Sequence, residues 1–351
     1  MTQHPTTAES PGHDEAPRHV EAPRHSDARF GVVLVTYHSA GVICDCLQAL
    51  ADYPCEVVVV DNASRDKTVE IAREFPVRVI ANSENRGFAA AVNQGFSALH
   101  LQKILVLNPD VRVRGTWSAV LDGLDDEGVA VTTAILTDEG GEPTHHFQFR
   151  RFPRPVTLLF ENLGLNRLWP RNPVNQRYRY QDERWEVVRD VEQPAGAFLL
   201  IRRKVWLELG GFDEGFHPLW FEDVDFCNRV IHAGWHIRFY PIEVGTHMGG
   251  HSIEELEPGV RQLYWYRSLL RYASTHFSVV WVRILALSVL VALAGKIVTM
   301  TINASLSGTI KTSPSDNPSR KGRLSQFMPA ARLALGAFIY GRPSSGSKMS
   351  A

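Results

Sequence analysis

Three acids fall within four residues at Glu222-Asp223-Val224-Asp225, directly after Trp220-Phe221 and ahead of a helical pattern of apolar residues, Val224, Cys227, Val230 and Ile231. Two adjacent carboxyls beside a bound cation can be tuned into a general base and a partner. Acids in a first helical turn also complement the dipole by about 0.3–1 kcal/mol, but surface acids do not usually follow a Trp-Phe pair. A second carboxylate, Asp110 in Asn108-Pro109-Asp110, closes the apolar run Lys103 to Leu107. Its hard oxygen could ligate Mg2+ or Mn2+ bridging a diphosphate, although Asn, Pro and Asp also make ordinary strand-ending turns.

Other polar clusters have the same double character. Asp61-Asn62-Ala63-Ser64 can cap a following helix, or Asp61 can accept from the N3–H of a uracil or thymine base. Asn82-Ser-Glu-Asn85-Arg86-Gly87-Phe88 leads into a helical segment containing Asn93. There Gly87 permits close backbone approach, and the helix start would offer free N–H groups to a phosphate. This is neither the GxGxxG dinucleotide fingerprint nor a Walker A loop, which counts against a dehydrogenase or an ATPase. His247, in Gly245-Thr246-His247-Met248-Gly249-Gly250-His251, reads as part of a mobile loop after a strand. Such a loop could bring imidazole to a metal and shift preference toward Mn2+, with His251 as a second candidate.

The elements that must carry these clusters are short apolar runs: Phe30 to Val35, Glu56 to Val60, Val77 to Ala81 and Lys103 to Leu107. Their apolar residues are mostly consecutive, as in strands covered on both faces, and the spacers are long enough for crossover helices. The prediction is an α/β fold with a Rossmann-like, mostly parallel central sheet flanked by helices. Right-handed crossovers put the strands' carboxyl ends on one rim, where ligands of open sheets sit. Thr36-Tyr37-His38-Ser39 and the clusters at 61–64, 82–86 and 108–110 all follow those ends. Residues 135–194 read as an irregular insertion over the site. Beyond them come a strand at Ala197 to Ile201, helices at Arg203 to Leu209 and Glu222 to His232, and a strand at Trp235 to Tyr240.

With 351 residues, 44% of them apolar, the chain can bury a large core, and its net charge of -1 gives no global field for nucleic acid. The four cysteines lack zinc-type spacing and read as reduced packing residues of a cytosolic protein. Residues 1–29, with a doubled Glu-Ala-Pro-Arg-His, read as a disordered arm without a secretory layout. Residues 276–302 form an apolar helical extension charged only at Arg283 and Lys296. From 303 onward seven Lys or Arg face one acid, Asp316, a net +6 in a flexible tail. An apolar helix beside a basic tail suits an anionic cytoplasmic leaflet, by spanning it or by lying in its interface.

Taken in order, Val35-Thr36-Tyr37, Val60 to Ser64, Asn85-Arg86-Gly87-Phe88-Ala89, Leu107 to Asp110, Gly196-Ala197-Phe198, Gly210-Gly211-Phe212-Asp213 and Glu222 to Asp225 resemble the inverting family 2 glycosyltransferases. The likeness is strongest to the bacterial rhamnosyltransferase-like branch acting on polyprenyl-diphosphate sugars. It spans residues 30–275 and implies a GT-A-type fold, with a nucleotide-binding half over 30–134 and an acceptor half over 135–275. It also implies inverting transfer, from a nucleoside-diphosphate sugar such as dTDP-rhamnose to a lipid-linked or cell-envelope glycan, at the cytoplasmic face of the bacterial inner membrane. By that likeness Thr36, Asp61 and Asn62 would face the nucleotide, with Tyr37, Asn85, Arg86, Gly87 and Asn93 in the same donor site. Asp110 and His247 would hold a divalent cation, Mn2+ or Mg2+. Asp223 would be the base, and Glu222 and Trp220 would shape the acceptor side. Asn108 replaces the first acid of the usual Asp-x-Asp metal motif, leaving Asp110 to act with phosphate oxygens, water and His247. Two competitors remain: a catalytically silent nucleotide-sugar or glycan binding module, opposed by the intact Glu222-Asp223, and a sugar-phosphate nucleotidyltransferase, opposed by the absence of a Gly-rich basic loop after the first strand.

Overall fold

The computed structural model describes residues 28–143, 148–181, 183–249, 256–307 and 326–343. Most of the N-terminal arm, most of the basic tail and His251 lie outside them. The first half alternates strands and helices: β1 (Phe30–Thr36), α1 (Ile43–Leu50), β2 (Cys55–Asp61), α2 (Thr68–Ala72), β3 (Arg78–Ala81), α3 (Phe88–Ala98) and β4 (Lys103–Leu107). These four strands pair in parallel, in the order β3-β2-β1-β4. Successive residues point to opposite faces of a strand. Val32 and Leu34 therefore enter one core while Val33 and Val35 enter the other. Both faces of β1, β2 and β4 are covered, which is why their apolar residues are mostly consecutive, whereas the edge strand β3 is only partly buried.

The sheet continues as β4-β10-β6-β11-β5, with β5 (Val111–Val113), β6 (Val129–Thr137), β10 (Phe198–Arg202) and β11 (His236–His247). A small helix, α4 (Ser118–Asp122), precedes β6. Strand β10 is antiparallel to both neighbours and β5 is antiparallel to β11, so the second half is mixed. Strand β11 outruns the expected Tyr240 by seven residues. Register shifts on either side of Pro241 and Glu243 carry it past a proline that would end a regular central strand.

The 135–194 region is more ordered than its weak periodicity suggests. It contains β7 (Phe149–Arg150), α5 (Pro155–Asn162), α6 (Leu165–Leu168), α7 (Pro173–Tyr178), β8 (Arg189–Asp190) and β9 (Gln193–Pro194). Helices α5 and α7 both begin with a proline, whose fixed φ suits a first turn, and Asn172 caps α7 by accepting from the Asn175 N–H at 2.8 Å. They are too short to generate a readable apolar stripe.

The C-terminal part adds α8 (Arg203–Glu208), α9 (Glu222–His232), α10 (Pro258–His276), α11 (Val279–Ser307) and α12 (Met328–Tyr340). A third core joins Leu158 of α5, Phe216 and Phe221 of the loop before α9, Leu269 and Leu270 of α10, Leu285 and Val289 of α11, and Ala330 and Ala334 of α12. Helix α10 has no counterpart in the sequence expectations. It holds the segment around Trp220 against the sheet domain, because Ser268 Oγ donates to the Leu219 carbonyl at 2.8 Å and Arg271 grips both oxygens of Asp213 through Nε and Nη2.

Candidate active site

The first two rim loops are locked together by Asp61, which is buried at the end of β2. Its carboxylate accepts from Thr36 Oγ1 at 2.8 Å, from the Ser64 N–H at 2.9 Å and from the Ser64 hydroxyl. Asn62 acts one loop further. Its amide donates to the Gly87 carbonyl at 3.1 Å and accepts from Asn82 Nδ2 at 3.1 Å and from the Arg86 N–H at 3.4 Å. Three of the amides expected to be free for an anion here are already occupied. The Arg86 N–H is taken by Asn62, the Gly87 N–H by Asn85 Oδ1, and the Phe88 N–H by the Pro218 carbonyl at 2.7 Å. Asn93 is also turned elsewhere: its amide brackets Phe212 through both backbone groups at 3.0 Å and reaches Glu214. Tyr37 stays at the rim, half-buried and 4.3 Å from the His38 ring.

Asp110 and His247 are brought side by side by strand pairing. His247 is not in a mobile loop; it is the last residue of β11, in register with Val111 of β5. The Met248 N–H donates to the Asp110 carbonyl at 3.1 Å. Asp110 Oδ1 and His247 Nε2 lie 3.2 Å apart, with each side chain under a tenth exposed. That oxygen is fully enclosed and accepts no hydrogen bond. A buried hard oxygen next to imidazole nitrogen fits a divalent cation. Among the described residues no group of three or more His, Cys, Asp or Glu side chains gathers around a common point. Asp110 and His247 would supply two ligands to such a cation, with the remainder left to ligand oxygens and water.

The acid cluster at the head of α9 is entered through strained backbone. Trp220 and Phe221 have φ of 76° and 71°, a left-handed conformation that costs most side chains about 1–2 kcal/mol each. His38 and Ala63, in the first two rim loops, share it. Strain of this kind persists only where surrounding contacts impose it, and it concentrates at functional sites. Here Phe221 is clamped by Trp265 and Tyr272 of α10, and Trp220 meets Trp265 edge-on. The turn presents Glu222 and Asp223 differently. Asp223 accepts from the Gly196 N–H at 3.0 Å and from the Val224 N–H at 2.8 Å. Glu222 is buried, and among the described residues its Oε2 finds no hydrogen-bond partner. Burial, and then the charge of Asp223, pushes the Glu222 carboxyl well above its ordinary range. Burial also raises Asp223, opposed by its two backbone N–H bonds and by the Arg150 guanidinium.

Two consecutive residues tie the acid pair to the Asp110 motif. Gly196 donates to Asp223, and the carbonyl of Ala197 accepts from the Asn108 N–H at 3.1 Å. A carboxylate with a raised pKa and the turn that carries Asp110 are therefore hydrogen-bonded to consecutive residues of one backbone segment.

Arg150, Trp265 and Tyr264 were not singled out in the sequence. Arg150 acts on Asp223 through charge, from β7 in the insertion. Tyr264 lies close enough to Tyr37 that this neighbour, after burial, raises its phenol above the ordinary value. The run Tyr264-Trp265-Tyr266 was the available signal for α10.

The family model described as glycosyl transferase family 2 matches residues 31–205, and one described as the N-terminal domain of galactosyltransferase matches 177–251. The chain is 29% identical over 239 residues to an N-acetylglucosaminyl-diphospho-decaprenol L-rhamnosyltransferase of Mycobacterium tuberculosis, covering 63% of this chain and 76% of that protein. It is 25% identical over 151 residues to the rhamnosyltransferase WbbL of Escherichia coli (strain K12), covering 42% and 53% respectively. A solved structure of GalNAc-T7 with UDP, GalNAc and Mn2+ matches with a TM-score of 0.50 at 17% identity, over 70% of this chain and 48% of that one, which is a likeness of fold alone.

Proposed function

The chain belongs to glycosyl transferase family 2 and has a GT-A-type fold, and on that premise we propose that it is an inverting hexosyltransferase that moves L-rhamnose from dTDP-rhamnose to a lipid-linked glycan. The observation that carries the reading is the Gly196-Ala197 clamp, which holds Asp223 and the Asn108-Pro109-Asp110 turn to one backbone segment. In a single displacement the acceptor hydroxyl oxygen attacks the anomeric carbon, its proton passes to Asp223, and the bond from that carbon to the diphosphate oxygen breaks. Asp223 suits the task because its raised pKa makes it a stronger base than an exposed aspartate, while the Gly196 and Val224 N–H groups fix its orientation. Asp110 and His247 would hold a divalent cation, Mn2+ or Mg2+, whose charge stabilises the departing diphosphate.

The donor and acceptor preferences are supported by the rhamnosyltransferases among the relatives, one of which carries a decaprenol-linked substrate in its name. A lipid-linked acceptor sets the reaction at a membrane, and α11 is long and apolar enough to reach one. We assign the work to the cytoplasmic face of the bacterial inner membrane, where nucleotide sugars are available.

The test is a donor panel of dTDP-rhamnose, UDP-hexoses and GDP-mannose against a polyprenyl-diphosphate-linked acceptor, run beside Asp223→Asn. Transfer is expected from dTDP-rhamnose, with D223N lowering turnover at least ~100-fold while calorimetric donor binding persists. Near-normal turnover in D223N removes Asp223 as the base. Donor binding without transfer or donor hydrolysis across the panel sinks the enzyme reading.

A further inference from the structure

Helix α11 is apolar all round, yet its two sides meet different surroundings. Val282, Leu285, Ala286, Val289 and Leu293, spaced three and four apart, are buried in the third core. Asn162 Nδ2 of α5 donates to Ser288 Oγ at 2.9 Å within that seam. The opposite stripe of Val280, Ile284, Leu287, Val291, Val298 and Ile302 is 37–64% exposed. Helix α12 runs back antiparallel, with Gly341 abutting Val279 and the Arg283 guanidinium donating to the Ile339 carbonyl at 3.4 Å. The start of α11 and the end of α12 therefore meet. Together they expose Trp281, Phe338, Ile339 and Tyr340 next to Arg283 and Arg342.

The chemistry of this surface selects its occupant. Neither helix contains an acid, and their charged residues are Arg283, Lys296 and Arg332. Exposed aliphatic residues, Trp and Tyr at one end and uncompensated cations are the features of a surface seated in an anionic headgroup layer. The described part of α11 from 279 to 302 would measure about 36 Å, enough to cross a hydrocarbon core of about 30 Å. Crossing, however, would pull Val282 to Leu293 out of the seam and leave Leu158, Leu269 and Leu270 facing water.

We propose that α11 and α12 form an in-plane, monotopic membrane seat, with the exposed stripe resting on anionic lipid and both ends of α11 on the same side as the catalytic core. This deepens the membrane location proposed above, and its geometry is independent of which sugar is transferred.

The full-length protein is tested by flotation with phosphatidylcholine vesicles with and without phosphatidylglycerol. It is expected to float with the anionic vesicles, and the double variant Trp281→Ser/Tyr340→Ser is expected to weaken partitioning about tenfold or more. Arg283→Gln and Arg342→Gln should each cost about fivefold and reduce the salt dependence. These side chains are exposed and remote from Asp223, so transfer to a detergent-free, short-chain acceptor should persist. In sealed inverted inner-membrane vesicles, protease added outside should remove a C-terminal epitope together with the catalytic domain. A protected epitope means that α11 spans, and overturns the proposal. So does a chain that never floats, flotation indifferent to the Trp281/Tyr340 variant, or a vesicle-free dimer that this variant dissolves, which would give the stripe to a second copy. Normal flotation with no transfer from any donor would count against the rhamnosyltransferase reading and leave the membrane seat standing.

Discussion

Asp223 and Asp225 stand two residues apart on one helix, and their carboxyls are shifted in opposite directions. Against the upward push of burial, hydrogen bonds from His276 at 2.8 Å and Arg229 at 2.9 Å keep the Asp225 carboxyl below its ordinary value. Asp225 thus joins α9 to α10, while Asp223 faces the Gly196 segment with a raised pKa. A base acts deprotonated, so kcat/KM should rise as pH passes the folded pKa of Asp223, above its ordinary 3.8. Arg150→Met removes a cation that opposes the effect of burial, so the acidic limb should move to higher pH; a limb that stays put denies Arg150 that influence. If Asp110 and His247 hold a cation as proposed, His247→Ala should raise the Mn2+ concentration for half-maximal activity at least ~10-fold, since loss of even a residue that only supports a ligand costs about 10–100-fold. Equal activity in EDTA and in Mn2+ would remove the role given to Asp110 and His247. The acidic triplet was legible as a cluster because it follows Trp220-Phe221. Its division of labour was not, because it depends on His276, Arg150 and Gly196, which are distant in sequence.

At the scale of elements, the loop between β3 and α3 is set by backbone fit. Gly87 has φ of 84°, and a Cβ there would lie 2.9 Å from His217 Cδ2 and 3.1 Å from the Pro218 carbonyl oxygen. Gly87→Ala should therefore cost about 1–3 kcal/mol of stability, from positive φ and from pushing the 217–218 segment off the helix start. Thermal unfolding measures this, and a loss under 0.5 kcal/mol would mean that the two loops are not mutually braced (about the scatter of neutral surface substitutions). Strands β1, β2 and β4 were legible because both of their faces are buried, which writes consecutive apolar residues into the sequence. Helix α10 was not, because Tyr264, Tyr266 and Tyr272 interleave with Arg261, Arg267 and Arg271 and blur its apolar stripe. The far end of β11 was hidden by Pro241, which only a bulged strand accommodates.

For the whole molecule, the apolar C-terminal helix is part of the architecture and not an appendage to it. A chain ending at His276 would uncover Leu158, Tyr266, Leu269 and Leu270. At about 1.5–3 kcal/mol per large apolar side chain, such a truncation is expected to lose several kcal/mol and to aggregate. Size-exclusion chromatography and the unfolding midpoint would reveal it, and an unchanged midpoint would return α11 to the status of a detachable anchor. The same seam has a metric consequence. Because α11 is fastened to the core by the Asn162–Ser288 bond and by the residues packed around it, the catalytic rim keeps a constant height above whatever surface the outer stripe touches. A reaction centre at constant height is a ruler. It would select acceptors by how far their reactive hydroxyl stands from the plane of their lipid, and so limit how many times a growing glycan could be extended by the same enzyme.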